Sequence, residues 1–205
     1  MSSTQYDSQA RVRLRPSFPF LAAIVLVSGC ASGSASLGVQ TGDTFSPPSD
    51  STPTAVESPL CINEFVASNN ESWQDSSGLF PDWVELHNPT TTPISMQGWF
   101  ISDDPERPFE WPVDATLTIE PGGFQVLIAD GQPELGPDHL PFALREEGEG
   151  VSLRRADGVG EAVLYGLVLE DFSWARQTDC CPQPGACMTQ VWGGTPGTSN
   201  NGAAP

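Results

Sequence analysis

The sequence predicts an all-β sandwich, and three observations carry that prediction. Glycine and proline number 20 each in 205 residues, too dense for a mostly helical chain because both break helix interiors. From Cys61 onward, short runs alternate apolar and polar residues with a period near two, the repeat of a strand with one buried face. Turn formers punctuate those runs at the spacing of a sandwich. The length accommodates one core of ordinary domain size plus appendages.

Taken in order, residues 1–29 read as a signal peptide. Arg11, Arg13 and Arg15 precede an apolar run from Phe18 to Val27 that is interrupted by Pro19. That run is too short for a bilayer-spanning helix, which needs roughly 20 apolar residues. Val27-Ser28-Gly29-Cys30 resembles the bacterial lipobox, in which small residues precede a cysteine that is acylated before cleavage on its N-terminal side. The resemblance implies that Cys30 is the first residue of a mature lipoprotein, held at the membrane by several acyl chains where one is only marginal. In the lipoproteins it resembles, only Asp after the cysteine strongly favours the inner membrane. Ala31 therefore implies the outer membrane, with the domain periplasmic or surface-exposed. An ordinary secretory signal followed by a free cysteine is the competing reading.

Residues 30–60 form the expected tether. After Cys30 the segment is almost all Ser, Thr, Pro, Gly and Ala, with Asp43, Asp50 and Glu57 its only charges, and it has no apolar periodicity to bury. As a coil it spans roughly 30 Å. A structured N-terminal subdomain is the rival, weakened because Phe45 is the segment's only aromatic residue. The chain has 8 Arg, no Lys and 26 acidic residues, a net charge of -18. Removing 1–29 takes away three Arg and Asp7, leaving a formal -20. That sign disfavours nucleic acid as a partner and repels anionic headgroups, so the acyl anchor must supply the membrane attachment.

The domain is expected over 61–200, with 201–205 a short tail. Its strands are expected at Cys61–Val66, Asp82–His87, Ile94–Ile101, Thr116–Glu120, Phe124–Ala129, Val151–Arg155 and Glu161–Tyr165. Val151 and Leu153 alternate with Ser152 and Arg154, so each strand should have one buried and one wet face. Asn88-Pro89, Asp104-Pro105, Pro121-Gly122-Gly123, Asp130-Gly131 and Asp157-Gly158 mark turns. Asp157-Gly158 is the strongest hairpin candidate.

Several of these segments also match a known pattern. Ile62-Asn63-Glu64 with Ala67-Ser68-Asn69, the run Asp82 to Pro89, Gly98-Trp99 with Ser102 to Pro105, and Pro121-Gly122-Gly123-Phe124 occur in order. Gly150 to Leu153, Asp157-Gly158, Ser173-Trp174-Arg176 and Thr195-Pro196-Gly197 with Asn200 follow. Together they resemble the bacterial lamin-tail domain over residues 61–200, which implies an immunoglobulin-like β-sandwich. The loop 75–81 is poorer in acids than is usual there, and the Cys180 to Cys187 stretch is an insertion. His87 stands where the family commonly has an aromatic residue, which implies a packed ring more than a catalytic base. Trp83, Trp99, Trp111, Trp174 and Trp192 lie in or beside the matching motifs and are expected to pack in the core or under turns.

Cys61, Cys180, Cys181 and Cys187 remain once Cys30 is acylated, and an even count in an exported chain reads as disulfides. A bond between the neighbours Cys180 and Cys181 would strain the intervening peptide. Cys61 is therefore expected to bond one of that pair and Cys187 the other. A zinc site is the rival. Catalytic signatures are few: no Gly-x-Ser-x-Gly elbow, no His-Glu-x-x-His, no phosphate loop. The many acids could supply a glycosidase-like pair, against a solvated-surface reading. Calcium is the one cofactor the residues suggest, through Asp75, Asp82 or Asp103 in an irregular site, since hard cations take oxygen ligands; ordinary turn capping competes. An EF-hand register centred on Gly78 fails because Trp73 and Val84 would occupy ligand positions.

Trp73 stands apart in a polar loop. With Asn70 and Gln74 it could stack on a sugar ring or anchor a protein; or it covers the end of the sandwich. The function expected is thus a lipid-anchored extracytoplasmic module that binds or adheres to envelope protein or polysaccharide without catalysis. A small calcium-dependent hydrolase and a purely structural envelope lipoprotein are the alternatives.

Overall fold

The computed structural model describes residues 58–182 and 184–201. The segments expected as signal peptide and tether, up to residue 57 and including Cys30, and the tail residues 202–205 lie outside the described residues.

Eleven antiparallel strands make the described fold. One sheet joins β1 (Cys61–Val66), β2 (Trp83–His87), β7 (Phe124–Ile128), β10 (Phe172–Arg176) and β11 (Met188–Trp192) in the order β11-β10-β1-β2-β7. The facing sheet joins β4 (Trp99–Ser102), β5 (Trp111–Pro112), β8 (Gly150–Arg155) and β9 (Gly160–Leu164) in the order β5-β4-β8-β9. A small pair, β3 (Ile94–Ser95) with β6 (Thr118–Ile119), closes one end. Phe65, Val84, Leu86 and Leu127 from the first sheet meet Trp99, Ile101, Val151, Leu153 and Val163 from the second in one core. This is the β-sandwich that the alternation predicts, in the immunoglobulin-like form that the resemblance implies.

The expected alternation has a phase break in β1, where Ile62 and Phe65 are both core residues three positions apart. A bulge resolves it. Ile62 pairs with Leu86 and Glu64 with Glu85, so Asn63 is the extra residue, which shifts the phase by one and lets both apolar side chains face inward.

Several expectations need correction. The run Ile94–Ile101 is two strands, because Gly98 takes φ +80 and the chain turns with the Trp99 N–H donating to the Met96 carbonyl. Thr116–Glu120 shrinks to Thr118–Ile119, its first residues being a turn in which Asp114 accepts from Thr116. β5, β10 and β11 were not anticipated. Leu60, counted with the tether, is fully buried in the core. Finally, β1 and β2 have no wet face: every residue in both is buried. The Asp157-Gly158 hairpin forms as expected between β8 and β9, with Gly158 N–H donating to Arg155 O.

Gly98 has open space around it, so its conformation alone decides the effect of a side chain. Gly98→Ala should cost about 1–2 kcal/mol, the penalty for an L-residue in the left-handed region. Urea midpoints at unchanged slope check this; an unchanged midpoint would contradict the assignment of that turn.

Candidate functional site

The outer faces of β1 and β2 carry polar residues that the C-terminal segment covers. Glu64 and Glu85 are cross-strand partners and both fully buried. Glu64 accepts from the Ser173 hydroxyl at 2.5 Å and from the N–H and hydroxyl of Thr195 at 2.9 and 2.8 Å. Glu85 accepts from Asn63 Nδ2 at 3.0 Å and from the Gly197 N–H at 2.6 Å. Asp179 accepts from Asn63 and from the Asn200 N–H, and Asn200 donates to the Asn63 carbonyl. Burial raises both glutamates, Glu85 to about 8, with Glu64 and Asp179 adding repulsion. Paired carboxylates of this kind can run acid–base chemistry only where substrate reaches them. Here protein donors occupy them and no water-accessible surface remains, so the arrangement is a clasp that holds residues 193–200 onto the sheet.

The polar loop before β2 is closed by two residues. Asn69 accepts from Ser72 and Trp73 and donates to the carbonyls of Trp73 and Pro81. One oxygen of Asp171 accepts the backbone N–H groups of Asn70, Glu71 and Ser72. Burial opposes ionisation of Asp171, but these three donors hold it below the usual carboxylate range. Trp73 is half-buried with its ring edge-to-face against the fully buried Trp83, centroids 6.1 Å apart. One side of the indole is thus spent on covering the sandwich end. Asn70 is exposed, and the Gln74 amide donates inside the loop to the Gly78 carbonyl at 2.7 Å.

The three candidate calcium ligands are dispersed among local duties. Asp75 folds its own turn, one oxygen accepting from Ser77 N–H, Ser77 hydroxyl and Leu79 N–H. Asp82 accepts from the Asn69 N–H, and burial raises it to about 6, with Glu146 adding to the rise. Asp103 lies near Glu149, which burial raises to about 7. Among the described residues no group of three or more His, Cys, Asp or Glu side chains is arranged to hold a metal ion.

Cys61 bonds Cys180 and Cys181 bonds Cys187, one of the two pairings the sequence left open. The zinc rival is corrected, since all four sulfurs are consumed. Arg176 beside these bonds is fully buried, donating to the Ile62 and Cys181 carbonyls and to Glu161. His87 is a packed ring, stacked on Phe124 at 4.2 Å with Nδ1 3.0 Å from the Gly123 carbonyl oxygen.

Sequence reasoning missed the most exposed aromatic residue among the described residues. Trp192 was expected to pack, yet it is 59% exposed. β9 lies against β1 across the core, so β10 and β11 extend past the edge of the opposite sheet and leave their inner face only partly covered. Trp192 sits there edge-to-face with Phe172 at 5.4 Å. Beside it, the Gln190 amide donates to the Leu167 carbonyl and accepts from the Leu169 N–H. Val168 is buried between them, while Leu167 and Leu169 are 61% and 50% exposed. The result is an apolar rim on one edge of the sandwich. The signal for it was Leu167-Val168-Leu169, too apolar for a loop and absent from every expected strand.

A family model described as Lamin Tail Domain matches residues 53–165. No curated protein matches the chain. The apolar rim, β10, β11, the Cys180–Cys187 stretch and the closing segment 193–200 all lie beyond the matched residues.

Proposed function

The chain belongs to the lamin tail domain family, and from that premise we propose that it is a non-catalytic, extracytoplasmic interaction module, tethered to the membrane through acylated Cys30 and docking an envelope protein through the rim of Trp192, Leu167 and Leu169. The rim carries this reading. A large exposed aromatic side chain is the residue type that anchors binding hot spots, the two exposed leucines extend it into an apolar patch, and burying each such side chain contributes about 1.5–3 kcal/mol. Leucines offer a protein partner more than they offer a polysaccharide, which favours flat aromatic faces and polar rims. The buried clasp supports the non-catalytic part, because it closes off the one carboxylate pair on the sheet. The calcium-dependent hydrolase is the weaker reading: Asp75 and Asp82 are engaged in turns, and neither they nor Asp103 join a ligand group.

Fractionation of cells producing the full chain tests the anchor. Cys30→Ser should move the protein from the membrane pellet to the soluble fraction, and retention in the pellet would refute acylation there. In-cell crosslinking tests the rim. Trp192→Ser with Leu169→Ser should abolish the discrete crosslinked species formed by the parent chain while leaving the melting temperature within a few degrees. An unchanged crosslinking pattern would remove the rim from consideration. Trp73→Ala, by contrast, should leave retention on envelope polysaccharide unchanged.

A further inference from the structure

A second face, away from the rim, carries a different chemistry. Where β2 begins and β7 ends, the loop 75–81 and the segment 130–139 enclose an open hollow of about 690 Å³. Three of the large apolar side chains that the described fold leaves exposed converge on it: Leu79 at 62%, Phe80 at 39% and Leu135 at 59%. A second hollow of about 490 Å³, reaching Trp111 and Asp114, adjoins it across Gly136, Pro137 and His139. The two make a trough.

Every carboxylate or cation lining this trough, His139 aside, is an acid: Asp75, Asp130 and Asp138 on the first hollow, Asp114 on the second, with no Arg on either wall. His139 is ion-paired to Asp130 at 2.9 Å. Asp138 has no side-chain partner among the described residues. The walls are fixed before any ligand arrives. Asp130 accepts from the Gln132 N–H, while Ile128 and Leu140 exchange backbone hydrogen bonds with 138 and 128, so little ordering entropy remains to oppose binding.

We propose that this trough binds an extended, cationic and apolar segment of a partner polypeptide, its Lys or Arg side chains meeting Asp138 and its neighbours and its aliphatic side chains seated on Leu79, Phe80 and Leu135. Charge complementarity selects that occupant. An anionic polymer is repelled by the walls and by the net charge of -18. A neutral glycan would find two aromatic rings in separate hollows, Phe80 in the first and the half-buried Trp111 in the second, and would gain nothing from the acidic walls. The site is independent of the rim, and the two can fail separately.

Fluorescence anisotropy with the full-length protein and three labelled peptides of equal length tests the proposal: alternating Lys-Leu, all-Lys and alternating Glu-Leu. The Lys-Leu peptide should bind, the all-Lys peptide on the order of tenfold more weakly for want of apolar burial, and the Glu-Leu peptide not at all. Phe80→Ser with Leu135→Ser should cost the Lys-Leu peptide at least about tenfold. Asp138→Asn should weaken it and flatten its salt dependence, since exposed charge pairs are screened. Both Phe80 and Leu135 are exposed, so melting temperatures should hold, and a shifted melt would direct the test to Asp138→Asn alone. Trp192→Ser should leave binding intact. Lys-Leu binding that survives the Phe80 and Leu135 changes and Asp138→Asn, that disappears in Trp192→Ser, or that is absent from the parent chain overturns the proposal.

Discussion

Replacing Cys61 and Cys180 together by serine should lower the unfolding free energy by roughly 4–5 kcal/mol, the chain-entropy value for a closed loop of this size. The bond spans 119 residues, so it ties the first strand to the segment beyond β10 and removes much of the unfolded chain's freedom. A melting temperature lower by about 10–20 °C follows, at about 2–4 °C per kcal/mol for a domain of this size. The second bond closes a loop with a separation of only 6 and should be worth about 2 kcal/mol. Thermal melts of the two double-serine variants check both. Equal losses, or a larger loss from Cys181 and Cys187, would show that the long bond does not act through the unfolded state. The effect should also reach the clasp, because Cys180 N–H donates to Asn63 and Asp179 precedes it in the chain.

Raising the pH from 5 to 9 should destabilise the domain, and Glu85→Gln should remove the largest single share of that dependence. Burial lifts Glu85 from its ordinary 4.5 to about 8. Between those values the folded state holds a proton that the unfolded state has released. Stability is therefore full below the ordinary value and falls by about 1.4 kcal/mol per pH unit until Glu85 ionises in the fold. Glu149, raised to about 7, and Asp82, raised to about 6, act in the same direction over narrower windows; Glu64 is raised as well. Glutamine resembles the protonated acid in setting a donor beside an acceptor oxygen, but its amide brings two N–H donors where the acid has one O–H. Glu85→Gln should match the parent near pH 5, apart from about 1 kcal/mol for the donor that Asn63 or Gly197 then meets, and exceed it above pH 8. Urea titrations across that range decide the matter: a slope unchanged by the substitution would mean that Glu85 is ionised throughout.

Much of the sandwich was legible because its signals are local. The alternation in Val151 to Arg155 and the Asp157-Gly158 turn state a hairpin within a dozen residues, and the structure contains it. The disulfide partners narrowed to two pairings by peptide geometry alone. β5, at Trp111–Pro112, was hidden because two residues give no period to read. β10 and β11 were hidden for another reason. Phe172 to Arg176 and Met188 to Trp192 mix aromatic, polar and charged residues, since their faces serve the clasp, the buried Arg176 and the open rim instead of one plain core.

The candidate sites were less legible than the fold. Trp73 and Asp75 looked available because they sit in a polar loop, and only folding brings Trp83 against one and the Ser77 and Leu79 N–H groups onto the other. Glu64 and Glu85 looked like the wet positions of their strands, a reading that is correct for an isolated sheet. Residues 193–200 return over that sheet and make them interior.

By itself, then, the order of side chains along the chain determined strands such as β1, β2, β7, β8 and β9, where Asp157-Gly158 turns the chain and which cysteines could pair, because those outcomes depend on neighbours a few residues apart. Which strand overhangs its opposite sheet, which carboxylates lose water, and whether Trp192 or Trp73 meets solvent were decided by tertiary structure. They rest on contacts between separate segments, from Trp73 with Trp83 to Thr195 with Glu64 across 131 positions, that no local pattern records.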